Sequence, residues 1–235
     1  MASSKTGLIV VDMQNDFCPP DGSLAVTGAR DTIPLINKLL ESPLFEIKVA
    51  TQDYHPKDHV SFSDNHEAPN NKPFESFIDM ANLVANKPEE TMKQRLWPVH
   101  CVQGTKGADI VDGLLTDKVD LFLKKGMDPR VEMYSAFADS FGNLTSGTGG
   151  VSDDLAKILK DRGVTDVLVV GVAGDYCVKY TALDAAKSGF NVSVIEDAQR
   201  CVDPSAWNEV KSDFANANVK VVAMDGVEAQ RVLTY

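Results

Sequence analysis

Short apolar runs alternate with helical patterns along most of the chain, and no other feature limits the fold as strongly. The run DVLVVGVAG from Asp166 is almost unbroken, and GLIVV at residues 7–11 is apolar throughout. Strands that are apolar on both faces lie in sheets covered on both sides, and their alternation with helices is typical of parallel sheets. The pattern therefore predicts the α/β class, with a doubly wound parallel sheet of about six strands and helices on both faces.

The same patterns predict where the individual elements lie. Strands are expected at residues 7–11, 45–53, about 121–126, 166–174, 191–197 and 219–224, and helices at 30–40, 151–163, 175–189 and 204–217. Ser152 is the expected N-cap of the second helix, and Gly163 is its expected C-cap.

Two long excursions interrupt the alternation. Residues 54–98 are polar and contain prolines without a clear period, and residues 126–150 end in SGTGG. Excursions of this length in a compact domain are usually active-site loops or disordered insertions. SGTGG has no following Lys and does not come directly after a strand, so we expect a surface loop and no phosphate site. Because no linker is visible, we predict one domain over residues 1–235, with loop insertions near 66–98 and 126–150.

The net charge limits the kinds of binding partner, and the targeting patterns and cysteines bear on the cellular location. The chain has 34 acidic and 23 basic residues, a formal net charge of −11. This charge argues against nucleic acid and anionic membranes as partners. There is no signal-peptide pattern or membrane-length apolar run, and the four cysteines lie far apart with no C-x-x-C. We expect an intracellular, cytoplasmic protein, with the nucleus and the peroxisome as alternatives.

Chemically active side chains follow four of the predicted strands. Asp12 follows the first strand, Asp53 and His55 the second, Lys125 the third, and a turn leading to Cys177 the fourth. The ligand crevice of a doubly wound sheet lies at the carboxyl ends of its strands. We therefore expect an acid, a metal-type pair, an amine and a thiol at one edge of the sheet.

Each of these residues also has a plain structural explanation. Cys177 opens a predicted helix, where free N–H groups favour a thiolate and can stabilise an oxyanion, but a lone Cys is more often a small buried residue. Asp12 is a candidate general base for the thiol or a turn cap. Either Lys124 or Lys125 is a plain solvated lysine, because neighbouring strand residues point to opposite faces.

Three residues are candidates for a metal site. Asp53-x-His55 places two potential ligands on one side of an extended segment, and His100 in WPVHC is the candidate third ligand. Three protein ligands with open positions are the pattern of a catalytic metal, and this donor set suits Zn, Fe or Mn. The alternative is that these are ordinary polar loop residues.

Five separated segments together resemble the nicotinamidases of the isochorismatase-like cysteine hydrolase superfamily. In chain order they are LIVVDMQNDFCPPDGSLAV, TQDYHPKDHVSF, LWPVHCVQGT, LKKGMDPRVEMYSAF and VVGVAGDYCVKYTALDA. They span residues 8 to about 200. The D-x-H pair with WPVHC indicates the nicotinamidase branch, and the inserted segments resemble the eukaryotic, particularly fungal, form.

The resemblance implies a Rossmann-like fold and hydrolysis of nicotinamide to nicotinate and ammonia in NAD salvage. It implies Cys177 as the nucleophile, Asp12 as its base and Lys125 as the third catalytic residue. It also implies a cis peptide before Ala173, whose amide forms the oxyanion hole with that of Cys177. The resemblance implies a divalent metal, usually zinc, with Asp53, His55 and His100 as its ligands. It also implies a substrate pocket that contains Phe17, Leu24 and Tyr134.

Two other functions stay open at this stage. One is the hydrolysis of a different small amide, or an isochorismatase-like hydrolysis, on the same scaffold. The other is a non-catalytic metal- or ligand-binding homologue, because fold alone does not fix function. The sequence also leaves open whether the chain forms a homo-oligomer.

Overall fold

The first apolar run becomes a central strand, because both of its faces need cover. In the computed structural model, which describes residues 4–144, 146 and 150–233, eight strands and five α-helices are present. The strands are β1 (Lys5–Val11), β2 (Ile47–Asp53), β3 (Phe77–Asn82), β4 (Lys87–Arg95), β5 (Leu121–Lys125), β6 (Val164–Val172), β7 (Asn191–Arg200) and β8 (Lys220–Val222). The helices are α1 (Ile33–Glu41), α2 (Leu155–Asp161), α3 (Cys177–Lys187), α4 (Trp207–Asn216) and α5 (Val227–Gln230).

Six of the strands form one parallel sheet in the order β5-β2-β1-β6-β7-β8. Alternate residues of β1 enter the two sides of the core, as the two-residue period of a strand requires. Leu8 and Val10 pack on the side that holds α1 and α5, whereas Ile9 and Val11 pack on the side that holds α2, α3 and α4. The predicted α/β fold, with helices on both faces, is confirmed.

The strand order reverses at β1. The chain runs from β1 to β2 on one side of the sheet, and it later returns to β6 on the other side. A crevice opens at the carboxyl ends of the strands at such a switch point. Asp12 directly follows β1, and Cys177 follows β6 after a short turn, so both residues lie beside this crevice.

The predicted N-cap of α2 is wrong by two residues. The N-cap is Asp154, whose side chain accepts a hydrogen bond from the amide of Lys157 at 3.0 Å. Ser152 does not cap the helix because its hydroxyl oxygen accepts a bond from the amide of Lys124 in β5. Gly163 lies one residue beyond the C-cap Arg162 and has the positive φ of 73° that favours glycine at the end of a helix.

The first excursion contains an element that the sequence analysis missed. β3 and β4 pair in antiparallel fashion and form a hairpin separate from the main sheet. The hairpin was missed because seven consecutive residues of β4, from Lys87 to Lys93, are exposed and show no apolar alternation. Much of SGTGG, the expected surface loop, lies outside the described residues.

No helix in the described part of the chain has the length and apolar character needed to cross a lipid bilayer.

Candidate active site

Three side chains from strand ends and one from the start of α3 meet at the switch point, and we name them the charged floor: Asp12, Asp53, Lys125 and Cys177. Oxygen atoms of both aspartates and the Cys177 sulfur lie within 4.8 Å of one another. Asp12 comes from the end of β1, Asp53 from β2, Lys125 from β5, and Cys177 from the first turn of α3. The expected convergence of strand ends therefore occurs in the structure.

Lys125 is the centre of the charged floor. Its side chain is fully buried, with Nζ 2.9 Å from Asp12 Oδ2, in contact with Asp53 Oδ1, and 3.5 Å from Cys177 Sγ. Burial alone would lower the pKa of Lys125, but the two carboxylates raise it well above its usual range. The ammonium therefore stays charged. Lys124, in contrast, lies 4.0 Å above the ring of Tyr54 and does not reach this group.

Asp12 is held in one orientation by Thr51. The Thr51 hydroxyl donates to Asp12 Oδ1 at 2.6 Å and accepts from the Asp12 amide at 3.2 Å. Asp12 has a φ of 47°, a conformation that costs energy for a residue other than glycine. Burial raises the pKa of the Asp12 carboxyl, and Lys125 opposes this rise. A carboxylate with a raised pKa is a stronger base, which suits proton removal from a thiol.

The buried environment of Cys177 favours the thiol, whereas its place at the helix N-terminus favours a thiolate. Burial raises the pKa of Cys177 well above its usual range, although Lys125 opposes the rise. Its sulfur lies within 4.8 Å of a carboxylate oxygen of Asp12, so the candidate base is close to the thiol. The arrangement therefore favours deprotonation by Asp12 during the reaction over a preformed thiolate.

Asp53, His55 and His100 form the buried group that the sequence predicts for a metal. The Nε2 atoms of His55 and His100 lie 3.5 Å and 3.9 Å from Asp53 Oδ2. The Nδ1 atoms of the two rings are 2.8 Å from the carbonyl of Gly126 and 2.7 Å from that of Pro98. Donation from Nδ1 to a carbonyl fixes the tautomer in which Nε2 carries the lone pair.

The chemistry of this group fits a divalent cation. His55 Nε2 is buried and has no hydrogen-bond partner among the described residues. Burial alone would lower the pKa of His55, but Asp53 raises it, so the site favours a positive charge beside Nε2. Burial lowers the pKa of His100 to about 4, which keeps this ring neutral and able to bind a metal.

A second buried group, His55, His59 and Glu132, is not a separate metal site. His59 Nδ1 is bonded to the Ser61 hydroxyl at 2.8 Å, and Nε2 is 3.2 Å from the carbonyl of Val131. Both ring nitrogens are therefore engaged. Burial lowers the pKa of His59 well below its usual range, so this histidine is a neutral packing residue.

A narrow cavity opens beside Cys177, and it contains the three pocket residues that the resemblance implies. Trp97 and Tyr176 also line it. We name Trp97, Tyr134 and Tyr176 the aromatic wall. The full lining is Phe17, Leu24, Asp53, Trp97, His100, Glu132, Tyr134, Ala173, Tyr176, Cys177 and Val202.

Four residues of this lining were not predicted from the sequence: Trp97, Glu132, Tyr176 and Val202. Trp97 and Tyr176 have a visible signal, because each lies within three residues of a predicted site residue. Glu132 has the same signal, because it lies two residues from Tyr134, whereas Val202 has none. Burial raises the pKa of the Glu132 carboxyl, which lies beside His55.

The turn before α3 has the shape needed for an oxyanion hole. The Val172–Ala173 peptide bond is cis, as the resemblance implies. The carbonyl of Ala173 accepts bonds from the amides of Tyr176 and Val178, each at 3.0 Å. Among the described residues, the amides of Ala173 and Cys177 have no acceptor. Two free N–H groups beside a thiol are suited to a developing negative charge on a carbonyl oxygen.

Comparisons with known proteins agree with this geometry. The model of the isochorismatase domain matches residues 6–225, and the chain therefore belongs to the isochorismatase family. The nicotinamidase of Acinetobacter baylyi is 38% identical over 88% of this chain and 89% of its own length.

Two solved structures are also similar. The yeast nicotinamidase bound to the inhibitor nicotinaldehyde has a TM-score of 0.83 and 34% identity, covering 93% of this chain and 99% of its own. The pyrazinamidase of Pyrococcus horikoshii in complex with zinc has a TM-score of 0.67 and 33% identity, covering 93% of this chain and 99% of its own.

Proposed function

We propose that the chain hydrolyses nicotinamide to nicotinate and ammonia, the nicotinamidase reaction of NAD salvage. One observation carries the proposal: the buried thiol of Cys177 lines an aromatic-walled cavity and lies beside a buried carboxylate and a buried lysine, with a metal-type group next to them. The similarity to nicotinamidases over about nine-tenths of the chain supports the choice of substrate. We place the reaction in the cytoplasm.

In the first half of the reaction, Cys177 is the nucleophile and Asp12 is the base. Asp12 removes the thiol proton as Sγ forms a bond to the amide carbon, and the amides of Ala173 and Cys177 bind the oxyanion. Asp12 then returns the proton to the leaving nitrogen, and ammonia departs with cleavage of the C–N bond. Lys125 stays protonated throughout and stabilises the negative charge of its neighbours.

In the second half, water hydrolyses the thioester. Asp12 removes a proton from the attacking water, the C–S bond breaks, and the proton passes to the Cys177 sulfur. Nicotinate leaves and the thiol is restored. The same carboxyl group therefore acts as base and then as acid in each half of the reaction, which suits a pKa above the usual range of Asp.

Asp53, His55 and His100 would hold one divalent metal, with zinc the first choice and Fe or Mn as alternatives. When bound, it would supply a Lewis acid for the ring nitrogen of the substrate or for a water.

The test is ammonia release from nicotinamide by purified, zinc-supplemented protein. Cys177→Ala is expected to lower turnover by roughly a thousandfold or more, because no other group forms the acyl bond. Cys18→Ala is the matched control, since Cys18 is also buried and burial raises the pKa of its thiol to about 11. We expect this control to keep turnover within about threefold of wild type.

Two results would contradict the proposal. Wild-type protein that releases no ammonia from nicotinamide would reject the substrate, and other small carboxamides would then be tested. A Cys177→Ala protein with near-normal turnover would reject the covalent mechanism. Mass spectrometry of protein quenched during turnover should show one nicotinoyl group on wild type and none on Cys177→Ala.

A further inference from the structure

The β3–β4 hairpin sends one buried polar side chain toward the active site. The first seven residues of β4 are exposed, but Gln94 is only 2% exposed. Its neighbour Lys93 points to the other face and forms a surface ion pair with Asp79 at 2.8 Å. A glutamine buried alone on an exposed strand needs partners for its amide.

Gln94 finds these partners on the aromatic wall. Its Nε2 donates to the phenol oxygen of Tyr134 at 2.7 Å and to the carbonyl of Arg95 at 2.7 Å. The indole Nε1 of Trp97 donates to the same phenol oxygen at 3.0 Å. One oxygen atom thus joins the hairpin to two of the three residues of the aromatic wall.

The rings of the aromatic wall also contact one another. Trp97 and Tyr176 meet edge to face with ring centroids 4.8 Å apart, and Tyr134 lies 5.3 Å from Tyr176. All three line the cavity of Cys177, whereas Gln94 does not. Gln94 therefore contacts the aromatic wall on the side away from the Cys177 cavity and has no direct contact with the reacting atoms.

Tyr134 has space on its other side. A second cavity of about 290 Å³ lies there, lined by Gln94, Tyr134 and Tyr180 among others. Tyr134 is thus a partition between two cavities, and the bond from Gln94 holds it in place. Without that bond, only the indole N–H of Trp97 still holds the phenol oxygen, and the ring has space to shift toward the second cavity and away from a bound substrate.

We propose that Gln94 is a positioning residue that holds Tyr134 and Trp97 at the spacing that binds the substrate ring. The inference rests on the proposed function for the identity of the substrate. The wall contacts the ring in the ground state and in the transition state alike. Loss of such uniform binding raises KM and leaves kcat nearly unchanged.

The first test compares Gln94→Leu with Lys93→Leu, a substitution of its neighbour on the same strand. Leucine is similar in size to glutamine but cannot donate a hydrogen bond. For nicotinamide, Gln94→Leu is expected to raise KM about tenfold with kcat within about threefold, as expected for one lost hydrogen bond. Lys93→Leu is expected to change neither constant. A fall in kcat at constant KM would instead show a merely structural role and would overturn the proposal.

Tyr134→Phe supplies a second variant that keeps Gln94 and the ring but removes the shared oxygen. It is expected to raise KM to a similar extent. If Gln94 acts through this oxygen, the double variant has about the same KM as either single variant. Effects that multiply in the double variant would show that Gln94 acts by another route, and they would overturn the proposal.

A measurement without substrate separates this inference from the proposed function. The chain has two tryptophans, so Trp207→Phe leaves Trp97 as the reporter. In that background Gln94→Leu should shift the emission maximum of Trp97, whereas Lys93→Leu should not. Equal emission in both variants would overturn the positioning role. Absence of ammonia release by wild type would reject the proposed function alone.

Discussion

The charged floor and the aromatic wall are built in different ways, although each contributes residues to the lining of the same cavity. The floor consists of residues at the carboxyl ends of parallel strands and at the start of α3. The wall consists of rings from the loops around the sheet, held from outside by a hairpin that does not belong to it. The sheet thus positions the reacting groups, and the excursions shape the surface that binds the substrate.

The two regions also differ in what stabilises them. The floor places a buried ammonium between two carboxylates, where charge is costly unless it is paired. The wall depends on neutral hydrogen bonds and ring contacts, each contributing about 1 kcal/mol. Changes in the floor should therefore affect both stability and chemistry, whereas changes in the wall should mainly affect binding.

The largest expected effect comes from removing the floor's cation. Lys125→Met leaves the buried carboxylates of Asp12 and Asp53 without the cation that they share. We expect the free energy of unfolding to fall by about 3–5 kcal/mol and ammonia release to be lost. Urea unfolding and the ammonia assay measure these changes.

The adjacent lysine is the matched control for this substitution. Lys124→Met removes a cation from the ring of Tyr54, and we expect a loss of at most about 1 kcal/mol with activity retained. Equal losses in the two variants would contradict the assignment of Lys125 to the centre of the floor.

Metal removal should produce the next largest effect. A metal present at about one hundred times its Kd adds about 2.7 kcal/mol to stability. A chelator should therefore lower the thermal midpoint of wild type and stop ammonia release, and added zinc should restore both.

Two histidine variants sharpen the metal test. His100→Ala removes a proposed ligand, so its thermal midpoint should not respond to the chelator. His66→Ala removes a ring that bonds the carbonyl of Val60, away from the metal group, and should respond as wild type does. A chelator effect of the same size in His100→Ala would contradict the ligand assignment.

The floor was predictable from the sequence, but much of the wall was not. Asp12, Asp53 and Lys125 end or directly follow apolar runs, and the carboxyl ends of parallel strands converge, so topology alone brings them together. Gln94 lies in a strand of exposed residues with no recognisable period, and its burial depends on contact with a distant loop. Pattern analysis has no access to such a contact.

The protonation state of Cys177 was also beyond the sequence. Its place at the start of α3 was predicted correctly and suggests a thiolate. Its pKa, however, is raised by full burial beside two carboxylates, and burial depends on the complete fold. Local position and tertiary environment therefore act on this pKa in opposite directions.

The smallest expected effect concerns how the floor tunes its base. The Thr51 hydroxyl donates to Asp12 and so favours the charged carboxylate, which lowers the pKa of Asp12. Thr51→Val removes this bond at nearly constant volume and should raise that pKa further. Activity is lost as pH falls and Asp12 becomes protonated, so the acid limb of kcat/KM should move to higher pH.

Thr32→Val is the control, because Thr32 is equally buried and its hydroxyl donates to the carbonyl of Ala29. Both variants should lose about 1 kcal/mol of stability. An acid limb that stays in place in Thr51→Val would show that Asp12 is not the base.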